Sequence, residues 1–568
     1  MRGRIIIGAA IAALALGAPS AALAAPGAAV TIQGTPGNDL ISIVADSPVS
    51  GTYTVNGQST SFVGARKIKV EAGDGSDRIE ITNPTGSLLA PVDGIRVDAG
   101  AGSNSFSETG GQALDGTYRR EAGGPGTAEV THTGAPSQRV ALVGVVWVSD
   151  LVASDTFRYR GTPGADSVTV VGQPHTGPGR GPGSSYLQDS DTTLITGSKT
   201  EIIDTGRSGS TPDTVTLTGD QAIAAKLVVD DGTATPDDTV TLSNYQPNVG
   251  GRDWGVVEDL AIRAGHVVST GSLVAKSLAV EAAHIDPIFM YVDRVEAESA
   301  GDIQFSTSGG IFQVGGVSDS LHGVKSSGGN VSLTGGSVGV DTGEQIAGAN
   351  IDLESSALAI NGNVSAPGGT VSLVPRPSYL GAAHVDLGTT SDTNYGVSDA
   401  EFDRIDAAQV NVGAADSDLV TVSAPITLSH STGLAVESGN GFTATSGALP
   451  INVGSLDAGD LTLVDGSSTG RAWSVTPSGV QVGGGAPIPF GTPDALSVKA
   501  GAGDDSFAVK ASPQVAYSLD GGAGSDSLTY DAEGRSTGGD ADPPDGSITS
   551  WGVRAVAFGS IEAVSITP

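Results

Sequence analysis

The chain has 568 residues, 28 Lys and Arg against 62 Asp and Glu, a formal net charge of −34 and no cysteine. Such an excess of carboxylate repels phosphate backbones and anionic lipid, which disfavours nucleic-acid and membrane-surface binding, and the missing thiols exclude disulfides, thiolate metal sites and cysteine nucleophiles. With 84 glycines and only 4% aromatic residues, the composition favours many short strands joined by tight turns over a helical globule with a bulky core.

Residues 1–24 read as an export signal. Arg2 and Arg4 form a basic start, Ile5 to Leu16 is an apolar run, and Ala22-Leu23-Ala24 offers a small-residue cleavage site. That run is too short to span a bilayer, and no second run of about 18 apolar residues follows it. The expected product is secreted, extracellular or held at the cell surface, with no transmembrane segment after signal removal.

Glycine-aspartate turns come next. They are Gly34-Thr35-Pro36-Gly37-Asn38-Asp39, Ala72-Gly73-Asp74-Gly75-Ser76-Asp77 and Gly161-Thr162-Pro163-Gly164-Ala165-Asp166, with a decayed copy from Ala99 to Phe106 in which Asn104 replaces the acid. Each leads into a short alternating strand. Two small β modules are expected here, over residues 30–135 and 140–245. Within the second, Pro212-Asp213-Thr214-Val215-Thr216-Leu217 is echoed by Pro236-Asp237-Asp238-Thr239-Val240-Thr241-Leu242, so that Val240 stands in the place of Val215.

The middle, residues 250–464, carries a clearer repeat. Asn330-Val331-Ser332-Leu333, Asn350-Ile351-Asp352-Leu353 and Thr370-Val371-Ser372-Leu373 recur at one fixed interval, and Val338 and Val340 are matched by Leu358 and Ile360 at the same interval. Strict alternation places every second side chain on one strand face. Two distinct strands recurring in phase imply whole coils of chain lying on one another, with Val331, Ile351 and Val371 stacked inside, and Leu333, Leu353 and Leu373 likewise. Ala300-Gly301-Asp302-Ile303-Gln304-Phe305 and Ala458-Gly459-Asp460-Leu461-Thr462-Leu463 look like the same strand in other coils. The fold expected is all-β, a parallel β-helix (solenoid) flanked by small β modules. The run from about Gly271 to Leu463 resembles the repeat regions of filamentous-haemagglutinin-like exoproteins. That resemblance implies a right-handed helix and a role in surface attachment.

A third module, residues 465–568, carries two more turns, Ala500-Gly501-Ala502-Gly503-Asp504-Asp505 and Gly521-Gly522-Ala523-Gly524-Ser525-Asp526. All these turns resemble the glycine-rich nonapeptide of RTX (hemolysin-type) proteins, which implies calcium as a cofactor shared between stacked turns. The chemistry suits it. Glycines take positive φ and aim carbonyls inward, the aspartate adds charge, and calcium takes about six to eight hard oxygens. Gly501, Gly503, Asp505, Gly522, Gly524 and Asp526 are therefore candidate metal ligands, with Asp39, Asp77 and Asp166 as further ones. The alternative at each position is an aspartate that caps its own turn by accepting backbone N–H bonds.

Catalytic signatures are sparse. None of the seven histidines sits at metal-ligand spacing with another, and His284-Ile285-Asp286 reads as an ordinary exposed strand face. No nucleophile elbow or phosphate loop stands out, so no catalytic or organic-cofactor residue is assigned. The leading expectation is a non-enzymatic, adhesin-like binding or structural module for a host-cell, matrix or glycan surface. The alternatives are an RTX-like protein whose calcium drives folding or matrix assembly, and a polysaccharide lyase or hydrolase on the same fold.

Overall fold

A computed structural model describes residues 27–121, 126–172, 185–189, 193–196, 198–205, 211–219, 226–230, 237–243, 259–308, 310–376, 383–389, 395–414, 417–424, 426–438, 442–444, 451–453, 460–465, 468–484, 487–490 and 493–568. Residues 1–24, expected to be an export signal, lie outside them. The chain is 62% strand and 1% helix, and its dominant sheet pairs mostly in parallel. It is an all-β parallel β-helix. The chain divides into two compact units, one of residues 1–160 with 191–199, the other of residues 161–190 with 200–568.

In the first unit two parallel ladders run side by side. Ala29–Gln33 pairs with Lys67–Glu71, then Ile95–Asp98, then Gln138–Val143. Leu40–Ser47 pairs with Arg78–Asn83, then Asn104–Gln112, then Val145–Ala153. Because the side-chain period is two, equal register puts like residues over like. Ile32, Val70, Val97 and Leu142 form one buried column, and Ile41, Ile79, Phe106 and Val148 another. Antiparallel excursions are stitched onto the coils. Ser50–Val55 and Gln58–Phe62 close around Asn56-Gly57, both at positive φ, the pair that a two-residue hairpin requires.

The second unit holds the repeat. Ile303–Ser306, Val331–Gly335 and Ile351–Ser355 stack in parallel, followed by the end of Asn363–Pro375 and then by Ile405–Ala414, Ser431–Ser438, Asp460–Asp465, Ala495–Lys499, Ala516–Asp520 and Val556–Gly559. Leu333, Leu353 and Leu373 lie directly over one another. The column continues through Val412, Val436, Leu463, Val498, Leu519 and Phe558, all at most 5% exposed. Each such aliphatic contributes roughly 1.5–3 kcal/mol, but only because a neighbouring coil covers it. The ladder passes residue 465 without interruption, so the C-terminal strands extend the central stack. Val215 lies opposite Val240 on paired parallel strands, as the echo between their two segments predicts.

Candidate functional site

The glycine-aspartate turns stack just ahead of the strands they start, and their acids form columns. In the first unit the Asp39 N–H donates to Asp77 Oδ1 (2.8 Å) and the Asp77 N–H to Asn104 Oδ1 (2.9 Å). In the second the Asp166 N–H reaches Asp213 Oδ1 (2.7 Å) and the Asp213 N–H reaches Asp238 Oδ1 (3.0 Å). At the C-terminal end the Arg471 N–H donates to Asp505 Oδ1 (2.7 Å), the Asp505 N–H to Asp526 Oδ1 (2.7 Å), and the Asp526 N–H to Glu562 Oε2 (2.6 Å). All seven aspartates are nearly fully buried. One carboxylate oxygen of a coil thus continues the hydrogen-bond ladder to its neighbour where strand pairing has yet to begin.

The glycines are what let the turns approach. A methyl group on Gly100 would fall 1.8 Å from the Gly73 carbonyl oxygen, and one on Gly522 or Gly524 would fall 2.1 Å from that of Gly501 or Gly503. Gly73, Gly100 and Gly522 also hold φ of +102°, +71° and +81°, where side chains are disfavoured. At Gly521 the missing side chain leaves a space on which the Ser560 carbonyl oxygen and Asp526 Oδ2 converge, 2.3 and 2.6 Å from an added methyl.

The second carboxylate oxygen separates the copies. Asp39 Oδ2 accepts the Thr35 N–H (2.6 Å) and Asp166 Oδ2 the Thr162 N–H (2.7 Å), with the threonine hydroxyls on Oδ1. These two cap their own turns. Burial pushes the Asp39 carboxyl up, yet the bonds from Thr35 and Asn56 outweigh it and hold it below the ordinary value. By contrast, Oδ2 of Asp77, Asp505 and Asp526 is buried with no hydrogen-bond partner. Burial raises all three, with the neighbouring Asp39 and Asp74 adding to it at Asp77, and Asp505, Glu562 and Asp504 at Asp526. Burial likewise pushes Asp213 up to about 6. A buried, unpaired carboxylate oxygen suits a hard cation, so calcium fits Asp505, Asp526 and Asp77 better than Asp39 or Asp166.

Asp213, Asp238 and Glu562 escape the sequence reading because their turns lack the glycine pattern. For the two aspartates the available signal is an acid two residues before the first buried apolar side chain of a strand, as in Asp213-Thr214-Val215 and Asp238-Thr239-Val240.

A second polar cluster lies in the core of the first unit. His132 Nε2 donates to Asp150 (2.9 Å to Oδ2) and Nδ1 to Gln138 Oε1 (2.8 Å). Gln138 Nε2 and Asn83 Nδ2 both donate to Glu108 Oε1 (2.6 Å each). With both ring nitrogens donating, His132 is an imidazolium. Burial pulls its pKa down, but the Asp150 charge and hydrogen bond, aided by Glu108, carry it up to about 9. Burial raises Glu108, with Asp150 adding and His132 opposing.

No protein-family model matches the chain, and neither a curated protein nor a solved structure is found to be similar to it.

Proposed function

We propose that this is a secreted or cell-surface protein that works by binding and display in the manner of an adhesin, without catalysis, and that calcium stabilises its C-terminal turns. The outward row of the long ladder carries the reading. Ser332, Asp352, Ser372, Asn411, Thr462, Ser497 and Ser518 occupy equivalent outward positions on parallel strands, broken only by Ala435 between Asn411 and Thr462, and alternate with the buried column. At a rung spacing of about 4.8 Å they make a flat array of hydroxyls, amides and carboxylates. Such a face suits a glycan or a polar matrix surface, and the acid excess admits basic partners and cation bridges. The likeness to filamentous-haemagglutinin repeats points the same way.

Replacing Asp352, Ser372 and Thr462 together by lysine leaves the inward face untouched. Binding to immobilised glycans, matrix proteins or cells should fall at least tenfold while the melting temperature stays within a few degrees. Undiminished binding would count against the proposal. For calcium, the full chain should melt higher in calcium than in EDTA with excess magnesium. Coincident melting curves would remove the ion from the account.

A further inference from the structure

We propose that His266, His284 and Asp286 form a binding site for one zinc-class divalent transition-metal ion, separate from the glycine-aspartate turns. Among the described residues they are the one group of three acidic or histidine side chains whose ligand atoms all lie within 4.8 Å of one another. Sequence spacing conceals this, because His266 and His284 stand on successive coils, far apart along the chain. The stacking closes the gap. Strands Asp259–Ser269 and Ser277–Ile285 pair in parallel with His266 opposite His284, and the imidazole centroids are 4.8 Å apart. Asp286 follows two residues after His284, just past the end of that strand.

The geometry is that of a ligand set. Nε2 of His266 lies 3.0 Å from Asp286 Oδ1, and Nε2 of His284 lies 3.3 Å from the same oxygen. Ligands held 2.0–2.2 Å from a tetrahedral ion sit about 3.4 Å from each other. The two carboxylate contacts already match that spacing, and the imidazole nitrogens, within 4.8 Å of each other, need close by no more than about 1.4 Å to exchange their shared carboxylate contact for a common ion. Two imidazole nitrogens and one carboxylate suit zinc, copper, nickel or iron rather than calcium. Side-chain exposures of 32%, 56% and 34% leave the site open to solvent, so water completes the coordination. The coil beyond adds no bulk: Gly301 lies alongside His284, where an added methyl would come 3.2 Å from Nδ1. The ion would join one coil to the next, a cross-link of the kind a chain without cysteine cannot make by disulfide.

The test uses the full chain, with millimolar calcium present to occupy the general carboxylates. Titration with zinc should show one site, weakened at least tenfold by H266A, H284A or D286N. Cobalt should give the visible absorption of a tetrahedral centre in the wild type and not in H266A/H284A. Because the three side chains are partly exposed, these variants should melt with the wild type in EDTA. The H284C variant guards against misfolding, since it places the only thiol in the protein at the site and cobalt should then show a thiolate charge-transfer band. Equal zinc affinity in wild type and H266A/H284A, or a cobalt-loaded H284C without the thiolate band, would overturn the site.

Discussion

A single buried aspartate in these turns has two oxygens with different duties. Oδ1 of Asp526 accepts the Asp505 N–H, and Oδ2 has no partner. An amide keeps the acceptor and sheds the desolvated charge. The chain already contains that solution, because Asn104 accepts the Asp77 N–H through Oδ1 and donates Nδ2 to the carbonyls of Ala99, Gly100 and Gly144. In EDTA at neutral pH, D526N should therefore unfold in urea at or above the wild-type midpoint. D526A strands the Asp505 N–H and should lose about 1–3 kcal/mol. In calcium the order reverses: the wild type gains stability and D526N does not. If the amide costs as much as alanine in EDTA, the division of duties between the two oxygens is wrong.

For the strand, what matters is phase. Leu353 is fully buried between Leu333 and Leu373, whereas Asp352 beside it is exposed. L353A opens a cavity that two flanking coils cannot both collapse into and should cost about 2–5 kcal/mol. D352A should stay within about 0.5 kcal/mol. Equal effects in urea melts would contradict the stacked column. Phase also explains what the sequence discloses. The fixed interval is legible from Val331 to Val371, where the connecting turns keep one length. It is lost between Val371 and Val410, paired neighbours separated by an excursion that includes strand Val385–Gly388 and the short helix Asp399–Phe402. Inward faces are constrained by the coils above and below, whereas turns are free to lengthen, so the columns persist where the period does not. The polar core cluster was legible in principle. Glu108, His132 and Asp150 each fall in phase with buried residues, Phe106, Val130 and Val148. Their mutual contact was not, because it depends on which coils stack. The candidate metal turns were legible as motifs, but the free oxygens that distinguish Asp505 and Asp526 from Asp166 were visible only in the structure.

At the scale of the whole molecule, these buried groups tilt stability toward acid. Burial gives Asp77, Asp505, Asp526 and Glu108 folded-state pKa values above their ordinary ones, and Asp213 one of about 6. A carboxyl raised on folding binds its proton more tightly in the native state. Its contribution is complete below the unfolded value near 4 and disappears as pH climbs through the folded one, by about pH 6 for Asp213. His132 has the same sign at higher pH. Its stabilisation is whole below its ordinary value of 6.5 and fades as pH rises through about 9. Asp39, held below its ordinary value, opposes the trend only at the acid end. Self-repulsion in a chain of net charge −34 grows in the same direction as pH rises. The urea midpoint in EDTA should therefore fall steadily from pH 5 to pH 9, and calcium should recover more of it as pH rises and the free carboxylates lose their protons. H132Q should flatten the segment above pH 6.5 and lower the whole curve, since it removes the imidazolium from the buried Asp150 side chain and leaves it the Val152 N–H. A midpoint that rises across this range would mean that the buried acids are paired in ways that reverse their linkage to folding.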